Sequence, residues 1–167
     1  MSKNKKIAVF ALCIALAFAL SFLETLIPFN VGVPGVKIGL ANIVVVASLY
    51  LLDKRASFAI SMIRILISGL LFSGAFSLLY SFAGGVLSFL VMLLAMKNEK
   101  FSVLGVSVLG GVVHNIAQIA VAAAVMRTPR IVYFLPVLLV SGVIAGVAVG
   151  IVSKIIIERL MKTDFNK

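Results

Sequence analysis

From Ile7 to Ile157 long apolar runs alternate with short clusters of charged or turn-forming residues. A helix needs about 20 apolar residues to cross the roughly 30 Å hydrocarbon core of a bilayer. Read at that length, the pattern predicts six spans, at residues 7–24, 38–52, 56–73, 76–96, 101–126 and 131–157. The second is short. The third and fourth are divided only by Ser73-Gly74-Ala75, which reads as a tight helical hairpin or as one broken element. Barrel strands would alternate polar and apolar residues instead of running continuously apolar. The expected fold class is therefore all-α, a polytopic membrane helix bundle forming a single integral membrane domain over residues 1–167.

Composition agrees: 63% of the residues are hydrophobic and 12% charged, against about 45–50% and about 25% in soluble domains. So few charges cannot coat a water-facing surface. The net charge of +10 sits at the ends of apolar runs, not on a patch interleaved with aromatics, so it points to the membrane surface and away from nucleic acid. With six spans, one side receives Lys3, Lys5, Lys6, Lys54, Arg55, Lys97, Lys100, Lys154, Arg159, Lys162 and Lys167, and the other Lys37, Arg127 and Arg130. That asymmetry predicts cytoplasmic N- and C-termini in a multi-pass protein of the cell membrane. The basic start and first apolar run resemble a signal peptide, but the run ends in Glu24-Thr-Leu-Ile-Pro28 without a small-residue cleavage site, so it reads as a retained helix. Cys13 is the single cysteine and has no partner within the chain.

The polar residues inside the spans carry the candidate chemistry. Arg64 falls near the middle of span three, where a charge costs about 2.5–3.5 kcal/mol on insertion scales. Ser57, Ser61 and Ser68 share its face at helical spacing, making one inward stripe. No Asp or Glu lies centrally in any span; Glu24, at the outer end of span one, is the nearest acidic group. Arg64 is thus a candidate receiver for a carboxylate or phosphate, and Glu24 an equally good partner for it. Span five carries His114-Asn115-Ile116-Ala117-Gln118, with His114 and Gln118 on a face continued by Gly111 and Ser107. Such a cluster faces a partner helix or a wet cavity, as a binding site or as helix glue.

One histidine, one cysteine and no adjacent carboxylate make a poor metal site. No serine stands in a nucleophile elbow, and no Gly-x-x-x-x-Gly-Lys-Ser/Thr loop occurs, so no cofactor is expected and any ATP chemistry belongs to a partner. Ala11, Ala15 and Ala19 form a small-residue ridge on span one, and Gly142, Gly146 and Gly150 one on span six. Such ridges let helices approach closely, inside the protein or between proteins. Between spans one and two, residues 28–42 hold two prolines and three glycines. They read as a shaped outer loop able to cap a cavity, with Asn42 beneath it.

Four stretches, Val33–Asn42, Ser77–Gly85, Gly105–Gln118 and Tyr133–Gly142, resemble the Gx transporter family, also known as heptaprenyl diphosphate synthase component I. That family is similar in turn to the substrate-binding S components of energy-coupling factor (ECF) transporters. The resemblance implies six helices, a loop after helix one covering an outward cavity, ligand contacts from later helices, and an alanine motif on helix one that meets a transmembrane coupling subunit. Ala11, Ala15 and Ala19 match that motif. A prenyl-elongating enzyme would hold Mg²⁺ and diphosphate on clustered aspartates, whereas this chain has only Asp53 and Asp164, far apart, so it is not expected to be an enzyme by itself.

Two function classes follow. The first is the substrate-binding membrane subunit of an ECF-type transporter, taking up a small anionic or amphiphilic solute with a coupling subunit and ATPases. Its ligand site would comprise Arg64, His114, Asn115, Gln118, Asn42 and Glu24. The second is a non-catalytic membrane partner of a prenyl diphosphate synthase or quinone-related system. A third reading, a membrane enzyme using His114 as acid or base, is weaker because no acidic residue on its helix orients the ring.

Overall fold

The computed structural model describes residues 3–27 and 38–163. These form six helices and, among the described residues, no strand: α1 (Lys3–Leu26), α2 (Leu40–Leu51), α3 (Lys54–Ser68), α4 (Gly74–Met96), α5 (Val103–Val125) and α6 (Leu135–Lys162). A π-helical turn, Gly69–Ser73, extends α3, and a 3₁₀ turn, Pro129–Phe134, leads into α6. The protein is an all-α membrane helix bundle. Of the proline- and glycine-rich segment at 28–42, residues 28–37, and with them the predicted cavity cap, lie outside the described residues.

Five segments are long and apolar enough to cross a membrane: Lys3–Leu26, Lys54–Phe72, Gly74–Met96, Val103–Val125 and Pro129–Lys162. The 12 residues of α2 reach only about 18 Å at 1.5 Å per residue, short of a full crossing. Position explains its apolar character. Ala41 and every residue from Val44 to Leu49 are buried, and α2 packs against α1, α3 and α6. It is a central post wrapped by longer helices, whose outward faces expose Leu12, Leu70, Phe76, Leu94 and Ile144. An apolar surface of that extent suits lipid and not water.

Neighbouring helices run in opposite directions. The end of α1 meets the start of α2 through Glu24 and Gly39, and the Ser57 hydroxyl at the start of α3 donates to the Ser48 carbonyl near the end of α2, at 2.7 Å. Helix α3 turns into α4 as a hairpin: Gly69 faces Leu78, and Gly85 faces Ile65 and Met62. This resolves the ambiguity at 73–75 in favour of a tight turn. Gly74 makes it possible with φ 76° and ψ 164°, a region essentially restricted to glycine. No neighbouring atom would meet a Cβ there, so Gly74→Ala isolates the backbone effect. It is expected to cost about 1–3 kcal/mol, read as a lower melting temperature in detergent.

Helices α5 and α6 are joined along the glycine ridge. A Cβ on Gly142 would lie 3.1 Å from the Gly111 carbonyl oxygen, one on Gly146 2.7 Å from Val108 Cα, and one on Gly150 2.9 Å from Leu104 Cα. The α6 ridge therefore packs inside the protein. On α1 the buried positions are Ala17 and Ser21, while Ala11, Ala15 and Ala19 face outward and are exposed.

The alternation brings Lys3 and Lys162 to one end of the bundle, where Lys54, Arg55, Lys97 and Lys100 also lie, while Arg127 and Arg130 mark the other. Near the basic end Val45, Val46, Leu49, Phe89, Met92, Ala95, Val106 and Val149 form an apolar core, with Phe58 edge-on to Phe89 at 5.2 Å. Helix starts at that end are capped by side chains: Asp53 accepts from the Ala56 amide and Ser102 from the Gly105 amide.

Candidate functional site

A cavity of about 100 Å³, several times the space a single water needs, borders the apolar core, with Val46, Met92 and Val149 in its wall. All six predicted ligand residues, Glu24, Asn42, Arg64, His114, Asn115 and Gln118, line it. They arrive from α1, α2, α3 and α5, and α4 and α6 complete the wall with Ser81, Ser88, Gly142 and Ala145. The packing accounts for this convergence, since it brings the C-terminal parts of α1 and α3 to the first turn of α2, beside the inner stretches of α4, α5 and α6.

Arg64 reaches the cavity from the polar face of α3. Its Nη2 donates to Asn42 Oδ1 at 3.0 Å, and its Nε is buried without a hydrogen-bond partner. The serines on its face bond backbone carbonyls, and Ser68 also lines the cavity. Ser57 ties α3 to α2, and Ser68 donates to the Arg64 carbonyl at 2.7 Å. An arginine fork presents five N–H donors in a plane, and one neutral amide oxygen uses only part of it. Among the described residues no carboxylate lies within 4.0 Å of the guanidinium; the ion pair there is Lys154 with Glu158, at the basic end.

Glu24 has a different attachment. Its Oε1 accepts the backbone N–H of Gly39, which caps α2 in the left-handed conformation at φ 80°. A Cβ at Gly39 would stand 3.3 Å from Asn42 Nδ2, so glycine serves both the turn and the asparagine. The carboxylate thus sits at the start of α2, where the helix dipole favours negative charge by about 0.3–1 kcal/mol. It acts on Arg64 through space and not by direct contact.

On α5, His114 packs over Gly84 of α4, where a Cβ would come within 3.1 Å of ring atoms Nδ1 and Cε1. Gln118 is buried against the cavity. Asn115 has two duties: it lines the cavity, and its Nδ2 donates to the Leu138 carbonyl of α6 at 2.5 Å, in the space left by Gly142. Site and helix glue therefore coexist within this cluster. Ser88 adds another tie, donating to the Gly110 carbonyl at 2.8 Å.

The family model for heptaprenyl diphosphate synthase component I matches residues 13–156. The chain belongs to that family. No curated protein and no solved structure matches it. All six described helices fall wholly or largely within the matched stretch, as do all the cavity residues named above. Its Asp53 carboxylate is engaged as a helix cap far from the cavity, and among the described residues no three His, Cys, Asp or Glu side chains come together. Asp164 lies outside the described residues.

Ser81, Ser88 and Gly39 were not singled out by the sequence. A signal existed for the first two: Ser81, Gly84, Gly85 and Ser88 recur at the i, i+3, i+4, i+7 positions that mark one helical face.

Proposed function

We propose that the chain is a solute-binding membrane subunit that receives a small solute with an anionic group in the cavity lined by all six helices. The observation that carries this reading is the buried Arg64 Nε–H without a partner at the cavity wall. A buried donor left unmade costs about 1–3 kcal/mol, and a ligand carboxylate or phosphate oxygen would remove that cost by completing the fork. Asn42, His114, Asn115 and Gln118 would orient the solute. The gathering of basic residues at the end holding Lys3 and Lys162 argues for cytoplasmic termini, so the cavity would open to the outside. Energy would come from a coupling subunit and ATPases of ECF type, docked against the exposed alanine ridge of α1.

The test is native mass spectrometry of gently purified protein, followed by binding measurements with whatever solute is retained. Arg64→Gln and Gln118→Ala are each expected to weaken binding at least tenfold with the fold intact. Unchanged affinity in both removes the site. A second reading rests on the family description: a component of a synthase, working as its non-catalytic membrane partner. Retention of a soluble prenyl synthase favours that reading, whereas a coupling subunit lost on Ala15→Phe favours the first.

A further inference from the structure

The cavity holds fixed charges of both signs, and their arrangement narrows the solute. Glu24 and Arg64 line the same space but make no ion pair within 4.0 Å. Each is held apart from the other by its own neutral partner, Glu24 by the Gly39 amide and Arg64 by the Asn42 side-chain oxygen. Had the two charges evolved only to cancel, direct contact would serve best, because attraction in a low dielectric rises steeply as separation falls. Two opposed charges, each tied to the start of α2 and lining one cavity, instead form a dipolar receptor.

Charge balance selects the occupant. A simple anion on Arg64 would bring a second negative charge beside Glu24 and leave the site with net charge −1 inside the bilayer, where uncompensated charge is costly. A simple cation on Glu24 would leave the reverse. A molecule carrying both charges satisfies the two groups and keeps the occupied site neutral.

We infer that the solute is a small zwitterion, its carboxylate received by Arg64 and its ammonium group by Glu24. The carboxylate of Glu24 offers about four acceptor positions, of which the Gly39 amide takes one, so an ammonium group can share it. This inference rests on the cavity being a solute site.

The experiment uses full-length protein in nanodiscs and three matched pools. They are free amino acids including β-alanine and γ-aminobutyrate, the same compounds N-acetylated, and the same compounds as amides. These present a zwitterion, an anion and a cation. The free pool is expected to raise the melting temperature and to bind at least tenfold more tightly than either blocked pool. Glu24→Gln keeps the oxygen that accepts the Gly39 amide and removes the charge. In that variant the preference for the free pool over the N-acetylated pool should vanish. An N-acetylated pool that binds the wild type as well as the free pool does overturns the zwitterion while the anion site stands. Binding of the amide pool alone, or of no pool, overturns it as well. If a singly charged anion is retained in native mass spectrometry, the cavity is a solute site and this inference fails separately.

Discussion

Gly146→Val is expected to abolish the folded bundle, seen as loss of a monodisperse peak and of a cooperative melt in detergent. The added Cβ would lie 2.7 Å from Val108 Cα and 3.1 Å from the Ser107 carbonyl oxygen. Both obstacles are backbone, so no side-chain rotamer relieves the clash, and α5 and α6 must separate. In a membrane little hydrophobic effect drives helices together, and association depends on close van der Waals packing and interhelical hydrogen bonds. Separation would therefore also weaken the neighbouring Gly111–Gly142 contact and the Asn115–Leu138 hydrogen bond. Overpacking commonly costs about 1–3 kcal/mol, and here several contacts fail together, so more is expected. Ala148→Val, on the exposed face of the same helix, should melt like the wild type. A Gly146→Val protein with the wild-type melting temperature would show that the ridge does not hold the helices.

The two small-residue ridges show what a membrane sequence conceals. Gly142, Gly146 and Gly150 on α6 and Ala11, Ala15 and Ala19 on α1 have the same spacing, yet the first is sealed against α5 and the second faces outward. Spacing reveals that a close approach is possible and leaves open what approaches. The central place of α2 was hidden for a related reason. Lipid and protein interior are equally apolar, so Val44–Leu49 looks the same whether it faces tails or neighbouring helices. Length was the usable clue, since a 12-residue helix is too short to stand alone across the bilayer.

Polar residues were far more legible because their cost in lipid is one-sided. Arg64, His114, Asn115, Gln118, Asn42 and Glu24 come from four helices and line one cavity. Serine carries less information than these. A hydroxyl can bond a carbonyl of its own helix, as Ser48 does with Val45 and Ser68 with Arg64, so a serine in an apolar run need not face a cavity. That is why Ser81 and Ser88 stood out less. Gly39 was obscured differently: its part is set by a backbone amide reaching Glu24 from 15 residues away, and no periodicity encodes such a contact.

Arg64→Met, made together with Glu24→Gln so that no charge in the cavity is left uncompensated, is expected to keep the melting temperature at or above that of Glu24→Gln alone while reducing solute binding below detection. If Arg64 existed to fasten α3 to α2, its removal would resemble breaking a buried ion pair, at about 3–5 kcal/mol. Its direct partner is instead neutral Asn42, and its Nε–H is buried without an acceptor. Methionine fills a similar volume without the orphaned donor, and replacing buried ionic groups by apolar side chains of like size is often neutral or stabilising by about 1–4 kcal/mol. The Asn42 oxygen it releases borders the cavity, where water can replace the lost donor. Stability and binding should therefore move apart, as they do where local instability is retained for recognition. A marked fall in melting temperature in the double variant relative to Glu24→Gln, with binding reduced only in proportion to the unfolded fraction, would make Arg64 a helix fastener and remove the anion receiver from the cavity.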